Sequence, residues 1–80
     1  MASRSANEKK YKHWEEKADG SRIYTRKVLG QQSWFALYVK ETDANENTIS
    51  LRQEIYNEKN ELVEIHSKYP EDTGHQKIKP

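Results

Sequence analysis

Strongly apolar residues concentrate between Ser33 and Ser67, and there they recur at every second position. The stretch reads S-W-F-A-L-Y-V-K, a polar loop, T-I-S-L-R-Q-E-I-Y, N-E-K-N and then E-L-V-E-I-H-S. Alternation at period two marks strands with one buried face. Asn57-Glu58-Lys59-Asn60 reads as a type I turn closed by Asn60 in the left-handed conformation of a bulged loop. Pairing Asn57 with Glu61 then sets Ile55 opposite Val63 and Gln53 opposite Ile65. A loop over Glu41–Asn47 sets Val39 opposite Ile49 and Leu37 opposite Leu51. Both registers collect Phe35, Leu37, Val39, Ile49, Leu51, Ile55, Val63 and Ile65 on one face, and a slip of one residue would scatter them. The expected core is therefore Leu37, Leu51, Ile55 and Ile65.

A strand is also expected over Arg22–Leu29, where Ile23, Tyr24, Thr25 and Val28 favour extended backbone. Its alternation is poor, and Arg26 and Lys27 suit an edge or bulged position. Gly30-Gln31 would close the following hairpin with glycine first. Upstream, Ser5–Ala18 reads as a helix. Ser5-Ala6-Asn7-Glu8 matches a capping box, Tyr11, Trp14 and Ala18 form one narrow apolar stripe, and Gly20 stands where a helix would stop. So short and polar a helix needs Tyr11 and Trp14 docked on the sheet. After Ser67 the strand pattern ends, with turn chemistry at Pro70 and Thr73-Gly74. The expected fold is α+β, one N-terminal helix packed on a four-stranded antiparallel β-meander. Residues 1–4 are expected to be disordered, 5–75 to form the domain and 76–80 to fray.

At 80 residues with 34% charged and 32% hydrophobic content, the core must be thin, and so small a domain is marginal unless well packed or oligomeric. A homodimer is accordingly a candidate state. With no cysteine, neither a disulfide nor a thiolate metal site contributes. No apolar run reaches membrane-spanning length, and the first residues lack the apolar centre of a signal peptide. A cytoplasmic protein is expected. Net charge is only +1, but its distribution is uneven. Residues 1–30 carry eight Lys/Arg against four Asp/Glu, and residues 31–70 carry four against seven. A basic N-terminal third suits an anionic partner.

The expected outer face of the sheet holds Trp34, Tyr38, Arg52 and Tyr56 together with Ala36, Lys40, Ser50, Glu54, Leu62, Glu64 and His66. Aromatic and basic side chains on an open sheet hold single-stranded nucleic acid by stacking bases and meeting phosphates. The same residue types favour a protein interface, while Glu54 and Glu64 would repel phosphate. The candidate binding residues are thus Trp34, Tyr38, Arg52 and Tyr56 from the sheet, with Lys9, Lys10 and Arg26 from the basic segment. The partner would be RNA or a protein, with no cofactor.

A second constellation is His66, Lys68, Asp72 and His75, joined by the turn at Pro70. Two histidines and a lysine are the toolkit of metal-independent RNA cleavage, supplying a base, an acid and a cation for the phosphate. His66 and His75 would be acid and base, with Lys68 on the phosphate. The plainer reading is a structural turn with solvated histidines. His66, Asp72 and His75 would be the donors of a metal site, but H-x8-H fits no defensible metal spacing. No phosphate-binding glycine loop, Ser-His-Asp order or zinc spacing occurs. The leading expectation is a non-enzymatic binding module, and the alternative is a small, toxin-like ribonuclease.

Overall fold

The computed structural model describes residues 4–78. Its elements are α1 (Arg4–Tyr11), β1 (His13–Glu16), β2 (Arg22–Leu29), β3 (Phe35–Thr42), β4 (Thr48–Tyr56), β5 (Leu62–Tyr69) and β6 (Gly74–Lys77). The class is α+β with one N-terminal helix, as the sequence suggests, but the antiparallel sheet has six strands in the order β1 to β6 rather than four. The two extra strands are four residues each, too short to show an alternation. Among the described residues no helix is long and apolar enough to cross a membrane.

The helix is shorter than expected because Lys12 turns left-handed at φ 70° and donates its N–H to the Glu8 carbonyl at 3.0 Å. Trp14 therefore lies on β1, not on the helix, and is 40% exposed. Ser5 sits inside α1, so it is not the cap, and the Glu8 carboxylate turns instead to the Arg22 guanidinium at 2.7 Å. Three of the four positions expected to be disordered, residues 1–3, lie outside the described residues, and Arg4 is the first described residue of the helix. Tyr11 docks as expected, against the Tyr24 ring at 5.9 Å.

Three of the hairpins share one loop design. In Lys17–Ser21, Asp43–Asn47 and Asn57–Glu61 the first N–H bonds to the fifth carbonyl, and the fourth N–H bonds back to the first carbonyl. The fourth residue is left-handed each time: Gly20 at φ 87°, Glu46 at 69° and Asn60 at 61°. This is the bulged loop expected at Asn60. Asp43 and Asn57 build their loops by accepting main-chain N–H groups two and four residues on, the usual work of a short carboxylate or amide at a turn. The β2–β3 turn departs from expectation. Gln32 and Ser33, not Gly30, take positive φ, and the Trp34 N–H closes the turn on the Gln31 carbonyl at 3.0 Å.

The tight loop at Asp43 shifts the expected register of β3 on β4. Pairing continues to Glu41↔Ser50 and Thr42↔Thr48, and Val39 meets Arg52 rather than Ile49. An irregularity between Ile55 and Tyr56 likewise moves β5 by one, so that Ile55 meets Glu64 and Gln53 meets His66. The period of a strand is two, so an odd shift exchanges the faces. Phe35, Leu37 and Val39 share a face with Arg52, Glu54, Tyr56 and Ile65, while Leu51 and Ile55 lie on the helix side. Apolar residues are thus divided between two half-exposed faces of a single sheet. Leu37, Leu51, Ile55 and Ile65 are all only partly buried. β2 is interior for its first half, paired on both sides, and not an edge there.

The buried centre lies in the corner where α1, β1, β2 and the Asp43–Asn47 loop meet. Its apolar members are Tyr11 and Tyr24, with Asn7, Thr42 and Glu46 buried beside them, while Val39 is buried on the other face of the sheet. Glu46 Oε2 accepts from the Tyr24 hydroxyl at 2.5 Å and from Asn7 Nδ2 at 2.8 Å, and Oε1 accepts from Arg4 Nε at 3.1 Å. Arg4 also donates to the carbonyls of Gly20 and Ala44. A buried carboxylate is costly unless its lone pairs are met by donors, and here the donors come from the helix and the sheet.

Candidate functional site

On the helix-bearing face, one row of directly opposed residues crosses five strands: Arg26, Tyr38, Gln53, His66 and His75. Successive members are one strand spacing apart, roughly 4.8 Å, so a linear ligand laid across the strands would meet them in order. Gln53 Nε2 donates to the Tyr38 hydroxyl at 3.1 Å. The Lys68 ammonium lies over the Tyr38 ring, 5.6 Å from its centroid, close enough for the ring quadrupole to hold it.

Where α1 ends above this row, a cleft of about 280 Å³ opens, lined by Lys10, Tyr11, Arg26, Tyr38, Leu51 and Lys68. Beside it, past the end of β1, a more basic hollow of about 440 Å³ is lined by Lys10, Lys12, His13, Arg26 and Lys27. The arginines elsewhere take up the nearby carboxylates: Arg4 pairs with Glu16 and Glu46, Arg22 with Glu8 and Glu16, and Arg52 with Glu41 and Glu54. Among the described residues no carboxylate pairs with Lys10, Lys12, Arg26, Lys27 or Lys68. The cations of the cleft thus lack a close ion pair, and the more distant charge of Asp72 acts on Lys68. Lys40, which donates to Asn7 Oδ1 at 3.0 Å, registers their charge. Burial first, and the Lys10 charge second, hold its ammonium below the ordinary lysine value. Burial pushes the Tyr11 phenol up, and the Arg26 charge opposes this.

The expected binding residues divide over the molecule. Tyr38, Lys10 and Arg26 come together in the cleft. Lys9 is exposed on α1 and does not line it. Arg52 and Tyr56 lie on the opposite face, where Arg52 Nε meets Glu54 at 2.7 Å and Tyr56 stacks on Phe35 at 4.9 Å. Trp34 belongs to the β2–β3 turn and donates its indole N–H to Glu58 at 2.6 Å. Tyr11, Lys12, Lys27 and Gln53 join the site although none of them was expected as a binding residue. The basic run of residues 1–30 carried the signal for the two lysines. Nothing in the pattern could mark Gln53, whose place depends on the register.

The histidine pair does come together. His66 and His75 are cross-strand partners on β5 and β6, with ring centroids 4.5 Å apart in an edge-on arrangement. His66 Nε2 contacts Asp72 Oδ1 at 2.6 Å, and His75 Nδ1 contacts Glu64 Oε1 at 2.8 Å. Asp72 is held below the ordinary carboxylate range, first by the Gly74 N–H and then by His66. The other nitrogen of His66, Nδ1, is buried and has no partner. Neither nitrogen of His66 is thus free to meet a substrate in this arrangement. Lys68 leans over Tyr38 rather than toward the rings. Among the described residues no three His, Asp or Glu side chains are grouped as metal ligands would be.

Comparison of the chain with protein-family models, with curated proteins and with solved structures returned no match.

Proposed function

We propose that this protein is a small binding module for single-stranded RNA, which it engages through the cleft around Tyr38 and Tyr11. The observation that carries the reading is the set of cations, Lys10, Arg26 and Lys68, placed around two tyrosine rings and, among the described residues, outside ion-pair distance of any carboxylate. Cations meet backbone phosphates, and aromatic faces accept bases of any identity. The row from Arg26 to His75 gives the strand a path across the sheet. Binding needs neither metal nor turnover, and it suits a cytoplasmic protein. Titration with mixed-sequence RNA at varied salt tests it, because each neutralised phosphate releases counterions.

A second reading, a metal-independent ribonuclease, draws on the 4.5 Å approach of His66 and His75. It ranks lower because general acid–base chemistry needs a ring nitrogen within hydrogen-bond reach of the substrate. Both nitrogens of His66 are engaged or enclosed. Cleavage assays on His66→Ala and His75→Ala separate the two readings.

A further inference from the structure

β2 is eight residues long, but β1 pairs only with Arg22–Thr25. On the other side β3 pairs with β2 all the way to Leu29↔Phe35. Among the described residues, the main chain of Arg26–Leu29 therefore has no strand partner on its outer side. Such an edge presents unpaired N–H and C=O groups to any strand that can be added. Its side chains are graded along its length. Arg26 and Lys27 are exposed beside the basic hollow of Lys10, Lys12 and His13. Val28 is 37% and Leu29 78% exposed, and an apolar hollow of about 510 Å³ that includes Trp34 and Phe35 opens at their end.

We propose that the free edge of β2 accepts an extended acidic peptide segment as an added antiparallel strand. Its acidic residues lie against Arg26, Lys27, Lys10 and Lys12, and its apolar residues against Val28 and Leu29. Charge selects this occupant. A second copy adding its own β2 would bring a duplicate set of these cations to the junction with no carboxylate to meet them, and basic residues on an edge are what discourages self-pairing. A nucleic acid would meet the cations but leave the main-chain donors and the two apolar side chains unused. The inference does not rest on the RNA reading. It uses the plane of the sheet beyond β1, whereas the RNA cleft lies over Tyr38, although the side chains of Lys10 and Arg26 reach both.

The test is an NMR titration of the intact chain with a synthetic peptide centred on Val-Val-Glu-Glu. Two matched peptides serve as controls, one with lysine for each glutamate and one with prolines at alternate central positions. The expected result is slowed hydrogen exchange at amides within Arg26–Leu29, with affinity reduced by about tenfold or more in each control. Leu29→Asp should weaken the peptide, whereas Tyr38→Ala should weaken RNA and leave the peptide unchanged. Absence of protection at these amides overturns the proposal. So does equal binding of the proline peptide, since main-chain pairing would not be in use. Protection that rises with the concentration of the chain alone assigns the edge to a second copy, and protection by RNA alone assigns it to nucleic acid. Either outcome also overturns it.

Discussion

The Tyr24 hydroxyl donates to Glu46 Oε2 over 2.5 Å, joining a fully buried ring to a carboxylate on left-handed backbone. Burial alone would raise the Glu46 carboxyl, but the bonds from Tyr24, Asn7 and Arg4 outweigh it and hold its pKa below the ordinary 4.5. A depressed carboxylate contributes stability fully above its ordinary value and loses it as pH falls through the folded value. The chain should therefore lose stability on acidification below 4.5. Glu46→Gln should cost about 1–3 kcal/mol at neutral pH and flatten that acid limb. Urea melts of both proteins across acidic pH check this. An unchanged acid limb in Glu46→Gln would assign it to other carboxylates.

Gly20 tests the packing of one hairpin loop on another. Its φ is 87°, and a Cβ there would stand 3.2 Å from the Ala44 Cβ. Left-handed backbone costs a residue with a Cβ roughly 1–2 kcal/mol, and the close approach to Ala44 adds to that. Gly20→Ala should lower stability by at least this amount, read by thermal or urea melts. Gly74 is also left-handed, with nothing within 4 Å of an added Cβ, so Gly74→Ala should cost less.

Val39 and Ile49 separate the observed register from the one read from the sequence. Val39 is 3% exposed and Ile49 52%. Val39→Ala should cost about 1–3 kcal/mol, and Ile49→Ala should fall within about 0.5 kcal/mol of the parent. An Ile49→Ala loss as large as that of Val39→Ala in urea melts would favour the pairing of these two residues instead.

Strand positions were legible because β2, β3, β4 and β5 each carry enough branched and aromatic residues to announce extended backbone. The loop at Asn57–Glu61 was legible because Asn60 is a residue that tolerates positive φ. Register was not. Glu46 takes the same position in its loop despite a poor intrinsic preference, and it does so because Tyr24, Asn7 and Arg4 hold its carboxylate. No local pattern announces such a tertiary bond. Trp14 reads equally well as helix or strand, since one aromatic in H-W-E-E has no period. These register shifts moved Arg52 and Tyr56 to the face away from Tyr38 and brought Gln53 into its row. The basic cluster around Lys10 and Arg26 survived because charge along residues 1–30 does not depend on register.

The histidine pair gives a prediction of absence. His66 and His75 bond to Asp72 and Glu64, and their rings touch each other. The parent, His66→Ala and His75→Ala should all fail to cleave RNA, and the two substitutions should weaken RNA binding less than Tyr38→Ala does. Turnover of a fluorogenic RNA by the parent that disappears in both variants, with a bell-shaped pH profile, would move the ribonuclease reading to first place.

In the proposed complex RNA lies over Tyr38 between Lys10, Arg26 and Lys68. The direct measurement is fluorescence anisotropy of a mixed-sequence single-stranded RNA, titrated with the protein from about 50 mM salt upward. Affinity should fall with salt, with the logarithmic slope reduced by about 0.7 for each of the three cations replaced by alanine. Tyr38→Ala should cost roughly 1–3 kcal/mol of binding, while Lys59→Ala, at an exposed position of the Asn57–Glu61 turn, should cost little. RNA that fails to bind at low salt, or that binds Tyr38→Ala and Lys59→Ala equally well, would contradict the proposed complex.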